Sequence, residues 1–366
     1  MRHNHFVTCS NPLDIRLGAS EFEPGSDADV TADQTVPRLP ASLGLDRADP
    51  ALISAVTDGL IKVEDVLRRV VHSDVDFVNQ AALHLVKAGG KRFRPLFTLL
   101  SAQFADGNTD EVITAAAAVE LVHLATLYHD DVMDEATMRR GEASVNARWD
   151  NTIAILTGDF LFAHASGLVA DLGSDAARII AETMGRLVTG QMRETVGPVD
   201  GDDPVTHYLG VIGQKTGSLI ATAGRYGGMF SGAPKEHVET LYRFGDLIGT
   251  AFQISDDIID IASPADESGK IPGTDLREGV KTLPMLYALQ NEPDLRLREL
   301  LAGPITDDDA VDEALTLLRK SSGLEQAART LSDYADRASV ELGTLPPCSA
   351  RDALDMLARY VVARTR

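Results

Sequence analysis

The chain has 366 residues, 44% of them hydrophobic and 24% charged, with a formal net charge of −21. That composition suits a soluble globular protein with a sizeable core. The acidic surplus excludes a nucleic-acid partner, whose phosphate backbone demands a basic surface. It leaves room for a small anionic substrate, because a metal ion inverts the charge locally.

Aromatic residues make up only 5% of the chain, and alanine and leucine fill most apolar positions, which favours helices over a β-sandwich. Two cysteines, Cys9 and Cys348, match no metal or disulfide spacing and point to a reducing, cytoplasmic setting. The N-terminus lacks the apolar stretch of a signal peptide, and no run of about 18 apolar residues stands out as a bilayer span.

Residues 1–45 are rich in Asp, Glu, Ser, Pro and Gly without periodicity, and read as a disordered extension preceding one domain over 46–366. From residue 49 onward, apolar residues recur at helical spacing. The pattern predicts helices over 49–71, 76–88, 94–105, 110–136, 151–173, 175–196, 206–230 and 235–262. Shorter ones follow over 283–290, 310–321, 324–342 and 349–365. Gly/Pro clusters such as "KAGGKRFRP" and "SGKIPGTDLREG" fall between them as loops, and no segment alternates like a strand. The expected fold is all-α, a helical bundle in a single domain.

In "HDDVMD", Asp130 and Asp134 share one helix face with Asp131 beside them. Like charges at that spacing destabilise a helix, and near its C-terminus they also oppose the macrodipole. A divalent metal is the natural compensation, and oxygen-only ligands point to Mg²⁺. Alone, the cluster also reads as a solvated helix end. "FQISDDIID" repeats it with Asp256, Asp257 and Asp260 on another helix, so the two triplets can face each other across a bundle.

Basic groups complete the pattern. "GGKRFRP" supplies Lys91, Arg92 and Arg94, and "RRG" supplies Arg139 and Arg140, side chains suited to phosphate. Carboxylates for metal beside guanidinium groups for phosphate point to a Mg²⁺–diphosphate ligand. Walker, GxGxxG, GxSxG and calcium-loop motifs are missing, so nucleotide-fold and acyl-transfer chemistry lack their parts. His123 and His129 are read as hydrogen-bonding rather than metal-ligating side chains.

With these residues assembled, the chain resembles the trans-isoprenyl diphosphate synthases, or polyprenyl synthetases, and within them the long-chain enzymes of actinobacteria. "GGKRFRP", "LVHLATLYHDDVMDEATMRRG", "TGDFL", "GQKTGSL", "FQISDDIIDI" and "GKIPGTDLREGVKTLP" stand in the family's order over about residues 48–366. The resemblance implies an isoprenoid synthase-type bundle with a central active-site cavity. It implies Mg²⁺-assisted ionisation of an allylic diphosphate, farnesyl or geranylgeranyl, then condensation with isopentenyl diphosphate and proton loss. Three Mg²⁺ ions per substrate-loaded site are expected.

Carried over by motif, Asp130, Asp131 and Asp134 would hold metal on one side, and Asp256, Asp260 and Asp257 on the other. Lys91, Arg94, His123 and Arg140 would bind isopentenyl diphosphate, and Arg139 the allylic diphosphate. Lys215, Thr216, Gln253 and Lys270 would line the allylic site, with Arg139, Lys215 and Gln253 joining the aspartates in catalysis.

Chain length in such enzymes depends on the helix that ends in the first cluster. Ala125 and Thr126 are small and lie one turn before Asp130, with Leu121 and Val122 a turn further back. With the resemblance, small residues there imply an open tunnel and a product of about C40 to C50, suited to a menaquinone side chain. A geranylgeranyl diphosphate synthase, a non-catalytic regulatory subunit and a class I terpene cyclase are the competing readings. A homodimer is expected, with peripheral membrane contact for product release.

Overall fold

A computed structural model describes residues 44–45, 47–262, 272–291 and 294–365. Lys270 lies outside these residues, as does the 1–45 extension apart from Gly44 and Leu45, the latter buried.

The described chain is helical, as its patterning predicts. Its first helices are α1 (Pro50–Val70), α2 (Asp76–Lys87), α3 (Phe93–Ala102) and α4 (Asp110–Met133). A two-stranded hairpin, β1 (Met138–Arg139) and β2 (Glu142–Ala143), and a single turn, α5 (Val145–Arg148), lead to α6 (Asn151–Asp171) and α7 (Ser174–Val196). Then come α8 (Pro204–Ile212), a π-helical turn Gly213–Gly217, α9 (Ser218–Phe230) and α10 (Lys235–Ala262). Further helices, among them Thr274–Glu278, Ser322–Leu342 and Ser349–Ala363, complete the domain.

Helix α4 is the central post. Thr109 caps its start, its hydroxyl accepting from Val112 N at 3.2 Å. Its alanine-rich sequence has no polar face, and α1, α3, α6 and α9 pack around it. Leu121 and Leu124 are fully buried, each contributing roughly 1.5–3 kcal/mol of transfer free energy. Helix α10 packs on α9 and on Ser322–Leu342. Close approach there needs glycine: a Cβ at Gly224 or Gly245 would lie 2.6 or 2.8 Å from the Phe97 ring.

The sequence reading needs three corrections. The region 206–230 is two helices joined by a π-helical turn, an irregularity that recurs at functional sites. A small hairpin exists at "RRG" because Arg140 and Gly141 both adopt positive φ, +56° and +82°, as a two-residue type I′ loop requires. Finally, α4 and α6 are each long and apolar enough to cross a membrane by length and composition. Most of that stretch of α4 is core (72% buried), against 33% for α6, whose outer face stays apolar and exposed at Ile155 and Leu156.

Candidate active site

The first cluster sits where α4 stops. Asp134 is the C-cap, and no basic residue in the last turn offsets the carboxylates. Burial, opposed by Lys215 and reinforced by Asp134, pushes the Asp130 carboxyl up to about 6. Asp131 is fully buried and also raised, first by desolvation. Arg139 Nε donates to Asp131 Oδ1 at 2.6 Å, while Oδ2 has no hydrogen-bond partner among the described residues. The backbone beneath is pinned, as Asn146 Nδ2 donates to the carbonyls of Asp131 and Ala136, each at 3.0 Å.

The second cluster lies near the end of α10 and is differently occupied. Arg364 Nη2 donates to Asp256 Oδ1 at 2.6 Å, and its guanidinium stacks 4.0 Å over the Phe252 ring. Asp257 is buried and raised to about 7 by desolvation. It accepts from Gln253 Nε2 at 3.2 Å and from the Tyr208 hydroxyl. Asp260 accepts from the backbone amides of Thr274 and Asp275 at 3.1 and 3.3 Å.

Glu278, at the end of Thr274–Glu278, ties the clusters together. After desolvation, its carboxyl is perturbed by Asp134, Arg139, Asp260 and Lys215 at once. Members of both clusters, Asp134 and Asp260, therefore act on the same carboxyl. Lys215, on the π-helical turn, pairs with Glu194 Oε2 at 2.5 Å, and Thr216 Oγ1 donates to Gln253 Oε1 at 3.3 Å. The turn thus carries both motif residues and links Thr216 through Gln253 to Asp257.

The basic wall is built around a buried acid that the sequence reading did not single out. Glu120, 1% exposed, accepts from Arg92 Nη1 at 3.0 Å and lies 3.8 Å from Arg140. Arg92 also pairs with Glu64. Arg92 is thus a structural brace, and the left-handed backbone at Arg92 and Arg140, φ +46° and +56°, is held by these pairings. Arg140 also donates to Leu85 O at 3.1 Å.

Arg94 is half-buried, its Nε unpartnered among the described residues, and desolvation lowers it to about 10. Burial, then the guanidinium groups of Arg94, Arg140, Arg92 and Arg139, holds His123 well below the ordinary imidazole range. Those surroundings favour the neutral form of the His123 ring. Lys91 is exposed, its ammonium 5.6 Å from the Phe252 ring, near Arg364.

An apolar groove of about 570 Å³ opens beside Asp130 between α4, α6 and α7, with Thr126 on its wall. A second cavity of about 270 Å³ is lined by Val122 and by α6 and α7. Ala125 and Leu121 are fully buried and line neither cavity, so of the four proposed length-setting residues only Thr126 and Val122 face these two spaces.

The donor set fits a hard divalent cation. The orphaned Asp131 Oδ2 and the desolvated Asp130 are carboxylate oxygens short of positive charge. Among the described residues no three acidic, His or Cys side chains converge tightly enough to cage an ion. That is the expected arrangement when one or two carboxylates share Mg²⁺ with substrate phosphates.

Of the residues missed from sequence, Glu120 had a legible signal: a lone acid in the apolar run "AAAAVELVHLA" must find a partner. Glu64, Glu194, Tyr208, Glu278 and Arg364 had none.

Comparison with known proteins agrees with this geometry. Residues 75–318 match the polyprenyl synthetase family. The nonaprenyl diphosphate synthase of Mycobacterium tuberculosis is 55% identical, over 89% of this chain and 99% of its own. A crystal structure of geranylgeranyl pyrophosphate synthase from Corynebacterium glutamicum, complexed with calcium and isoprenyl diphosphate, superposes with a TM-score of 0.78 at 50% identity. That match covers 87% of this chain and 98% of that one. A decaprenyl diphosphate synthase from Rhodobacter capsulatus superposes with a TM-score of 0.79 at 34% identity, covering 86% of this chain and 99% of its own. The chain belongs to the polyprenyl synthetase family and is a prenyltransferase with that family's helical-bundle fold.

Proposed function

We propose that the chain is a long-chain trans-polyprenyl diphosphate synthase that joins isopentenyl diphosphate to an allylic diphosphate with Mg²⁺. The observation that carries this reading is an apolar groove opening beside Asp130 of one aspartate cluster, with Glu278 sensing members of both clusters together with Arg139 and Lys215. Magnesium, when bound, supplies Lewis-acid stabilisation of negative charge on the departing diphosphate. Asp130, Asp131 and Asp134 would hold it, together with Asp256 and Asp260.

The remaining work falls to the chain's own side chains. Arg139, fixed by Asp131, orients the allylic diphosphate. Lys91, Arg94, Arg140 and neutral His123 bind isopentenyl diphosphate, the arginines as forks and the imidazole as a donor. Thr216 and Gln253, hydrogen-bonded to each other, present oriented oxygen dipoles to the allylic cation. The groove excludes water that would quench it. No side chain stands out as the base, and the released diphosphate takes the proton.

The product is about C40 to C50 and serves as a menaquinone side chain; the groove's apolar lining and its depth of several helix turns support a long chain. The enzyme works in the cytoplasm as a homodimer through the exposed apolar face of α6 and touches the membrane to release product. Light scattering tests the dimer, and quinone profiling of cells lacking the chain tests the pathway.

The deciding experiment feeds farnesyl and isopentenyl diphosphate with and without Mg²⁺ and reads products by mass spectrometry. Long products that vanish on chelation are expected. Activity surviving complete chelation would contradict the metal assignment, and a product halting at C15 or C20 would replace the long-chain reading with a shorter-chain synthase.

A further inference from the structure

Arg139 and Arg140, which the synthase reading above assigns to the two diphosphates, sit on the hairpin of β1 and β2. Each strand has only two residues, with Met138 paired to Ala143 and Arg139 to Glu142. A ribbon that short does not hold itself in water, so other elements must fix its position. Towards the first aspartate cluster the fixing contacts are those of Asn146, with Ser144 N donating to Thr137 O at 3.1 Å. On the other side the hairpin rests against α2, through Arg140 and through one buried histidine.

That histidine is His84, buried in the last turn of α2. Its Nε2 lies 2.7 Å from Ala143 O, and its Nδ1 lies 3.3 Å from Arg148 Nη1. A carbonyl only accepts and a guanidinium only donates, so these partners place the ring hydrogen on Nε2 and the lone pair on Nδ1. The Trp149 ring meets the imidazole edge-on with centroids 5.5 Å apart, and the Arg148 guanidinium lies 4.6 Å from the Trp149 centroid. Tautomer and orientation are both fixed, and the one ring donor is spent on β2.

The stretch of α2 behind His84 is itself held. The hydroxyl of fully buried Tyr128 donates to Ala81 O at 2.8 Å and accepts from Leu85 N at 3.2 Å. Those two groups stand four residues apart, so the phenol ties one rung of α2 to α4 just before the first aspartate cluster. Arg140 in turn donates to Leu85 O at 3.1 Å and to Gly89 O. The seat is close, since a Cβ at Gly90 would lie 2.8 Å from Arg140 Cζ. Arg140 keeps that seat only while the hairpin stays docked on α2.

We infer that His84 is a positioning residue for isopentenyl diphosphate: it docks the hairpin on α2 and thereby sets where Arg140 stands. Its partners are Ala143, Arg148 and Trp149, none of them assigned to metal or substrate, so it acts through the hairpin alone. Arg139 has its own hold on Asp131, so the allylic diphosphate depends less on this dock.

The test compares the parent with His84→Phe, which keeps a ring against Trp149, and His84→Gln, whose amide nitrogen replaces Nε2 as the donor. Steady-state rates are measured with farnesyl and isopentenyl diphosphate and Mg²⁺. Calorimetry measures binding of inorganic pyrophosphate in excess chelator, where only the basic groups are available to it. His84→Phe should raise KM for isopentenyl diphosphate about tenfold, the effect of a buried acceptor left without its donor. KM for farnesyl diphosphate should rise less than about threefold. Pyrophosphate should bind His84→Phe correspondingly more weakly, and His84→Gln should recover most of both losses.

Equal rises in both KM values, or a lower melting temperature with neither KM changed, overturn the proposal. So does His84→Gln behaving as poorly as His84→Phe, because the donor would then contribute nothing. If His84→Phe folds poorly, Arg148→Leu at an exposed position decides. It should raise KM for isopentenyl diphosphate about threefold by releasing Nδ1, and no change refutes the dock. A parent without condensation would count against the synthase reading instead, and unchanged pyrophosphate affinity in His84→Phe would still decide against His84.

Discussion

The two aspartate clusters have the same spacing and end similar helices, but their surroundings differ. At the second cluster the protein itself engages the carboxylates: Arg364 holds Asp256, Tyr208 and Gln253 hold Asp257, and two backbone amides hold Asp260. At the first, Arg139 holds Asp131 Oδ1 while Oδ2 stays unpartnered among the described residues, and burial pushes Asp130 up to about 6 as it pushes Asp257 up to about 7. The comparison teaches that a repeated motif fixes where carboxylates stand, while their neighbours decide how much they gain from a cation. The first cluster keeps one buried carboxylate oxygen without a partner among the described residues. The second must be drawn from existing partners.

The largest expected effect is therefore at the first cluster. Asp131→Asn should lower turnover roughly 10²- to 10³-fold or more, the loss typical of one preorganised electrostatic group, with the fold intact by circular dichroism. A fall of less than tenfold would break the ranking. At the second cluster, Arg364→Ala should lower turnover about tenfold and leave product length unchanged, because a charged hydrogen bond to a part-exposed carboxylate is worth about 1.5 kcal/mol. Arg364→Lys should recover part of that loss. Equal rates in all three would show that the contact does not position Asp256.

A smaller effect concerns the packing behind the first cluster. Gly158→Ala should destabilise the fold by about 1–3 kcal/mol, the usual cost of overpacking, seen as a lower melting temperature. An unchanged melt would show that His129 moves aside freely.

The smallest is a pH effect on the basic wall. The folded pKa of His123 lies below its ordinary value, so the unfolded chain takes a proton that the folded chain refuses. Its contribution is present above about pH 6.5 and lost as pH falls below it, by at most about 1.4 kcal/mol per pH unit. Asp130, raised rather than lowered, acts in the opposite sense as pH rises through about 6. The difference in melting between parent and His123→Gln is thus the readout. The parent should lose stability relative to the variant below about pH 6.5, and parallel curves would refute the buried neutral imidazole.

Much of the molecule was legible in its sequence, for reasons tied to particular residues. Helical periodicity marked α1, α4, α6, α7 and α10 because each buries an apolar face or core. The aspartate triplets marked the site because carboxylates at helical spacing repel one another, and "GGKRFRP" marked the basic wall, although its Arg92 braces the fold through Glu120 and Glu64. Contacts between distant segments left no such trace. Arg364 meets Asp256 across 108 residues, and nothing in "YVVARTR" distinguishes it from a surface arginine. The hairpin at Arg140 escaped because only glycine and a few polar residues advertise positive φ. The groove walls were half legible: Thr126 and Val122 face it, but Ala125 and Leu121, their immediate neighbours on the helix, point into the core.

The end of α4 carries one more consequence. Ala136 N donates to Asp131 O at 2.9 Å, the closing bond of a Schellman turn, and Glu135 occupies the left-handed position at φ +50°. Glycine is the usual occupant there, and an L-residue costs about 1 kcal/mol. Glu135 is exposed, so Glu135→Gly is a candidate thermostabilising change that removes strain directly beneath the first cluster. Its effect on turnover would measure whether that stiffness serves catalysis or is only tolerated by it.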